Sequence, residues 1–75
     1  MDEFDDVIED ALEALKYFNR AEIYYHLSNS YFYLGNENLG IKALHEALKL
    51  DRTLFEEYSN KYPLLKSYYS PQSEN

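Results

Sequence analysis

Apolar side chains recur at intervals of three and four residues along most of this 75-residue chain, and that spacing predicts helices. Four helical segments are expected, at about 3–18, 20–34, 37–50 and 53–69. The two central patterns lie between Ala21 and Arg52 and join at one corner, Leu34-Gly35-Asn36. We therefore expect an all-α fold built from antiparallel helical hairpins.

The first helix begins in a cluster of carboxylates, which suits the positive end of the helix dipole. Its apolar stripe follows helical spacing through Phe4, Ile8, Ala11, Leu12, Leu15 and Phe18. Val7 and Ala14 widen that stripe beyond the width that one partner helix covers. The first helix is therefore expected to bury two faces.

Residues typical of helix ends mark the boundaries of the second and third helices. Asn19 is expected to cap the second helix, with Glu22 completing a capping box. Gly35 supplies the left-handed residue that ends a helix, and Asn36 begins the third helix. Gly40 lies inside the third helix, where glycine costs about 1 kcal/mol relative to alanine, so it is expected to admit a close neighbour.

The fourth helix has its own start signal and an internal break. Thr53 and Glu56 form a capping-box pattern. A kink is expected near Pro63, because proline cannot donate a backbone hydrogen bond. One helical domain then spans 1–69, and the tail at 70–75, which contains no apolar residue except a proline, is expected to be disordered.

Large and small side chains alternate at fixed spacing through the central hairpin. They are Tyr24, Leu27, Ser28, Tyr31, Leu34, Gly35, Gly40, Leu44, Ala47, Leu48, Leu50 and Asp51. With this pattern the segment at about 21–52 resembles a tetratricopeptide repeat, a helix-turn-helix unit of about 34 residues that stacks into solenoids. It departs from the family pattern at Gly40, where alanine is preferred, and at Arg52, where proline is preferred.

The flanking segments extend this resemblance. The first helix is similar to the second helix of a preceding repeat, and the segment from Thr53 to Leu65 is similar to a terminating helix, since bulky Tyr62 stands at a small-residue position. The resemblance implies one complete repeat between a half repeat and a cap, within a right-handed solenoid. The Tyr-Pro-Leu-Leu ending at 62–65 also resembles the C-terminal ends of bacterial repeat proteins.

A half repeat leaves one face of the first helix without a partner. The residues of that face are Phe4, Val7, Ala11 and Ala14. Because at least three repeats are generally needed to bury a continuous core, we expect another chain to cover this face. A second copy in a symmetric dimer is the simplest occupant, and a different protein is the alternative.

The resemblance also implies a groove for a peptide or protein partner on the inner face of the second helix. Its residues are Glu22, Tyr25, His26, Asn29, Phe32 and Tyr33. Asn29 stands where peptide-binding members of the family place an asparagine that contacts the peptide backbone. The basic residues that clamp a carboxylate tail in some members are absent, so an apolar or basic peptide is the expected ligand. Alternatively, Tyr25, Phe32 and Tyr33 pack on neighbouring helices.

The composition narrows the classes of partner. A net charge of −7 and a pI near 4.6 argue against binding to a nucleic acid backbone, which requires a basic surface. No apolar run approaches the roughly 18 residues that span a bilayer, and the N-terminus is acidic, so we expect a soluble, cytoplasmic protein. Nine tyrosines are expected to fill seams between helices, or else to form a recognition surface.

Catalytic chemistry is not indicated by the residue pattern. The chain has no cysteine and only two histidines, and it contains no zinc spacing, phosphate loop or nucleotide fingerprint, so no metal or cofactor is expected. We expect a non-enzymatic protein-interaction module, either a small adaptor or the C-terminal cap of a larger repeat protein. The alternative is a structural module that associates with itself.

Overall fold

The computed structural model describes residues 3–69, which form an all-α fold without a β-strand in that range. Its helices are α1 (Glu3–Ala14), α2 (Ala21–Tyr33), α3 (Glu37–Leu50), α4 (Phe55–Lys61) and α5 (Pro63–Tyr68), with a short 3₁₀ helix at Arg52–Leu54 before α4. The expected tail at 70–75 lies outside the described residues. No helix of the described part is long and apolar enough to cross a membrane.

The α2–α3 hairpin turns at Gly35, as the sequence predicts. Gly35 has a φ of 83°, in the left-handed region that favours glycine. Its N–H donates to the Phe32 carbonyl, and the Asn36 N–H donates to the Tyr31 carbonyl at 2.9 Å, which together form a Schellman motif. Both bonds satisfy carbonyls that the end of α2 would otherwise leave free.

Small residues bring α2 and α3 close together. The Ser28 hydroxyl donates a buried 2.7 Å hydrogen bond to the Gly40 carbonyl. Gly40 is buried, and its expected role in close helix approach is confirmed, because a side chain there would meet the ring of Phe32. Ala47 is also fully buried. Since Phe32 meets Gly40 while Tyr25 reaches Asp51, the two helices run antiparallel.

The first helix is shorter than the expected 3–18, since α1 ends at Ala14. Beyond it the backbone tightens into a turn, with the Lys16 N–H donating to Glu13 and the Tyr17 N–H donating to Ala14. Tyr17 and Phe18 are 72% and 57% exposed. No apolar surface holds these two rings, so helical spacing alone does not extend the helix through them.

The expected capping boxes do not form. The residue that precedes α2 is Arg20 in an extended conformation, without a side-chain cap, and Glu22 pairs with Arg20 at 3.5 Å instead. Before α4, Asp51 takes the capping role, since its Oδ1 accepts hydrogen bonds from both the N–H and the hydroxyl of Thr53. The Thr53 N–H is therefore bonded to the aspartate two residues before it, and the chain enters α4 through the 3₁₀ turn at Arg52–Leu54.

The expected fourth helix at 53–69 is two helices with a break at Tyr62. Tyr62 has φ −123° and ψ 89°, outside the α region, which the residue before a proline avoids. Pro63 is the first residue of α5, a position where no hydrogen bond within the helix requires its missing N–H. The described chain therefore contains five α-helices rather than four. The break lets α5 fold back against α2.

Two apolar clusters hold the helices together. The larger joins α2, α3 and α5 through Ala21, Tyr25, Phe32, Leu44, Ala47, Leu48 and Leu65. The smaller joins α1, α2 and α3 through Ala11, Leu27 and Ala43. Aromatic rings fill the edges of the larger cluster, which is the seam-filling role expected of the tyrosines.

Candidate functional site

An apolar groove lies between α1 and α2, and it is the candidate site. Its volume is about 280 Å³. Its lining consists of Val7, Asp10, Ala11, Ala14, Ile23 and His26, and we call it the α1 groove. Short side chains on α1 form one wall and α2 forms the other, so the floor is apolar while a carboxylate and an imidazole stand at the rim.

The face predicted on the first helix supplies half of this lining. Val7 and Ala14 are half-buried, and Ala11 is buried because it also belongs to the smaller apolar cluster. Phe4 takes a different role, since its ring stacks on Tyr33 with centroids 4.5 Å apart. The Phe4–Tyr33 pair ties the N-terminal turn of α1 to the C-terminal turn of α2 at one end of the hairpin.

Two of the predicted groove residues belong to the core instead. Tyr25 is fully buried; its ring stacks on Tyr58 at 5.0 Å, and its hydroxyl donates to the Asp51 carbonyl at 2.8 Å. Phe32 is buried under Tyr68, with ring centroids 4.0 Å apart. In this arrangement α4 and α5 cover both rings, so neither ring is available to a ligand. Tyr25 and Phe32 thus pack on neighbouring helices, which was the alternative to a groove role.

Burial changes the acid–base properties of Tyr25. Desolvation of its hydroxyl, with a further contribution from the Asp51 carboxylate, raises the pKa of Tyr25 to about 12. The hydroxyl is therefore a neutral hydrogen-bond donor throughout the physiological range. Its role is to tie α2 to the end of α3.

His26 links the α1 groove to α4 and its following turn. Its Nδ1 lies 2.7 Å from the Tyr62 hydroxyl, and its ring meets Tyr58 and Tyr62 edge to face. Burial, followed by the positive charge of Lys61, lowers the pKa of His26. The imidazole at the rim is thus neutral near pH 7, and Tyr62 fixes its orientation.

The other predicted groove residues lie on the same side of α2 as His26 but differ in exposure. Glu22 is half-buried, and hydrogen bonds from its backbone and from Arg20 lower the pKa of its carboxyl group. Asn29 is only 5% exposed, and its Oδ1 has no hydrogen-bond partner within 3–69. Tyr33 is 55% exposed beyond its contact with Phe4. An unsatisfied buried acceptor such as Oδ1 is uncommon in folded proteins.

Two further clefts were not predicted from the sequence. One of about 210 Å³ lies along α2 and α3 and is lined by Tyr24, Leu27, Tyr31, Leu39, Lys42, Ala43 and Glu46. The other, also about 210 Å³, is lined by His45, Leu48, Lys49, Arg52 and Tyr69. In the second cleft Arg52 donates to the Tyr69 hydroxyl at 2.9 Å, a pairing across 17 residues that no local sequence signal indicates.

Metal binding gains no structural support in the described part of the chain. No group of three or more histidine, aspartate or glutamate side chains there is placed to hold a metal ion.

Comparison of the sequence with protein-family models and curated proteins, and of the fold with solved structures, found no significant match.

Proposed function

We propose that this chain is a non-catalytic protein-interaction module of the tetratricopeptide type, and that the α1 groove receives a segment of its partner. The observation that carries the proposal is the groove itself. It has a volume of about 280 Å³, and four of its six lining residues are apolar. Grooves between helices that combine apolar walls with a few polar groups are common binding sites.

The tetratricopeptide character is supported by how the hairpin packs. Ser28, Gly40 and Ala47 are buried between α2 and α3, and Leu44 is 1% exposed beside them. These are the positions at which the sequence resembles the repeat, so each small residue stands where two helix backbones approach. In helical repeats of this kind each helix packs on its neighbours, so a half repeat at α1 would leave a face open to a further helix, and we take the α1 groove to be that face.

The proposal can be tested by comparing wild type with two tryptophan variants as baits for proteins from the source cell. Ala14→Trp fills the α1 groove, whereas Asn38→Trp places an equal bulk on an exposed position of α3 outside the groove lining. We expect at least one protein to bind wild type and Asn38→Trp but not Ala14→Trp, and to bind purified wild type directly. Retention of every captured protein by Ala14→Trp would overturn the proposal.

The alternative is a module that associates only with itself, and it predicts a different result for the same three proteins. Sedimentation equilibrium would then show a dimer for wild type and for Asn38→Trp and a monomer for Ala14→Trp, with no other protein captured. That combination would replace the proposed function by self-association.

A further inference from the structure

The negative charge of this chain is concentrated at 2–13, of which 3–13 belong to α1. Residues 2–13 contain seven carboxylates and neither lysine nor arginine, so their formal charge equals the −7 of the whole chain. The remainder contains seven acidic and seven basic residues and is balanced. The helix that forms one wall of the groove therefore carries the excess negative charge of the molecule. The side chains at the floor of the groove are apolar.

Helical spacing places several of these carboxylates along one edge of the groove. Asp10 lines the groove directly. Glu3 and Asp6 lie seven and four residues before it and share its side of α1, and both are exposed. Glu13 is paired with Lys16 at 3.2 Å, just beyond the end of α1, and Lys61 on α4 lies close enough to His26 to influence its pKa. Within 3–69 no ion pair joins Glu3, Asp6 or Asp10 to a basic side chain, so this part of the α1 edge keeps a negative potential beside the apolar floor.

The dimensions of the groove fit one face of a helix. From Val7 to Ala14 the wall rises about 10 Å, which is two helical turns. Over that length an amphipathic helix presents anchors at positions i, i+3 or i+4, and i+7, and the short side chains of Ala11 and Ala14 let such a helix lie close to α1. Basic residues flanking that apolar stripe would face Glu3, Asp6 and Asp10.

Building on the proposed function, we infer that the occupant of the α1 groove is a basic amphipathic helix from another protein. A second copy of this chain is disfavoured as the occupant, because a two-fold contact through α1 would place two segments of formal charge −7 against each other. An extended acidic or neutral peptide would leave the carboxylate edge uncompensated. The negative charge of α1 and the shape of the groove therefore both favour a basic amphipathic helix.

The inference can be tested by fluorescence anisotropy with the full chain and three synthetic peptides of about 18 residues, long enough to form a helix on binding. The first carries leucine and alanine on one helical face and lysine on the others. In the second, glutamate replaces every lysine; in the third, serine replaces every leucine. We expect the first peptide to bind at least about tenfold more tightly than either of the others.

Variants of α1 separate groove binding from general attraction to an acidic protein. Asp10→Lys inverts the charge at the groove edge, and Glu9→Lys makes the same charge change at an exposed position that does not line the groove. We expect Asp10→Lys to weaken binding of the lysine peptide about tenfold and Glu9→Lys to change it less than about twofold. Ala14→Trp is expected to abolish binding, with circular dichroism confirming that it is folded.

Three results would overturn the inference. They are equal binding of the glutamate peptide, equal binding of the serine peptide, and equal losses from Asp10→Lys and Glu9→Lys. If any of them occurs while a cellular partner still depends on Ala14, the interaction function stands and only the basic helix is wrong. If no cellular partner depends on Ala14 either, both proposals fail.

Discussion

The ring of Phe32 lies against the backbone of Gly40, where α2 meets α3. A Cβ built on Gly40 would be 3.0 Å from Phe32 Cζ and closer still to two other ring carbons. Tyr68 stacks on Phe32 with ring centroids 4.0 Å apart. Because Phe32 is held between Gly40 and Tyr68, the ring cannot move aside for a larger residue at position 40.

Gly40→Ala is expected to destabilise the fold, although alanine favours helix by about 1 kcal/mol. Overpacking typically costs about 1–3 kcal/mol, so we expect a net loss of about 1 kcal/mol in the free energy of unfolding, measured by urea denaturation. Asn38→Ala, at an exposed position of α3, is the control and should change stability by less than about 0.5 kcal/mol. A Gly40→Ala protein more stable than wild type would contradict the close contact with Phe32.

Tyr25→Phe is expected to lower the free energy of unfolding by about 1 kcal/mol. The variant keeps the ring stacked on Tyr58 but removes the hydroxyl that donates to the Asp51 carbonyl. Tyr33→Phe, which changes an exposed tyrosine of the same helix, is the matched control. Equal stability of Tyr25→Phe and wild type in urea would show that the bond to Asp51 does not stabilise the fold.

The stability of the wild type is expected to fall between about pH 10 and pH 12. The pKa of Tyr25 is about 12 in the folded chain and about 10 when unfolded, so its neutral form is favoured by folding. The resulting stabilisation is complete below pH 10 and is lost as the pH rises through the folded value. Because other tyrosines also titrate there, the measurement is the difference in urea midpoint between wild type and Tyr25→Phe. That difference should shrink over the same interval.

His26 is expected to make the fold less stable at mildly acidic pH. Burial and Lys61 lower its pKa in the folded chain, so the unfolded chain binds a proton more readily. The stability that neutral His26 supports is present above about pH 6.5 and is lost as the pH falls through the folded value. Urea midpoints compared at about pH 7.5 and pH 5 should therefore fall more in wild type than in His26→Gln. An equal fall in both proteins would exclude a role for this imidazole.

Leu65→Ala is expected to cost about 2–5 kcal/mol, the range for removing a fully buried leucine. Leu65 is 0% exposed in the larger apolar cluster, although α5 is only six residues long. Leu64→Ala, at a half-buried neighbouring position, should cost clearly less in thermal or urea denaturation. Similar losses from the two variants would mean that α5 does not dock against α2 in the described orientation.

Local signals predicted the hairpin well and the helix ends less well. Gly35 ends α2 because a left-handed residue is a backbone requirement that glycine meets wherever it occurs. By contrast, Phe18 continues the apolar spacing of the first helix but lies beyond its end and is exposed. Spacing shows that a residue could face a core, and only packing shows whether a core is there.

The candidate site was predicted as two separate surfaces, and the structure changes both. The α1 groove combines one residue of the predicted inner groove, His26, with three residues of the predicted helix face, Val7, Ala11 and Ala14. Tyr25 and Phe32 were assigned to the inner groove but are covered by α4 and α5. Neither outcome follows from helical periodicity, because periodicity does not show which helix lies over a given face.

The sequence by itself determined the features whose causes are local: the helical spacing, the turn at Gly35, the break before Pro63 and the concentration of acidic charge ahead of position 14. Only the tertiary structure decided which aromatic residues are buried and where the α1 groove lies. The Tyr25–Asp51 and His26–Tyr62 hydrogen bonds join residues 26 and 36 positions apart. The first pair depends on how α3 lies against α2, and the second depends on how the chain after α4 returns to α2. Both arrangements are set by the summed packing of the whole chain.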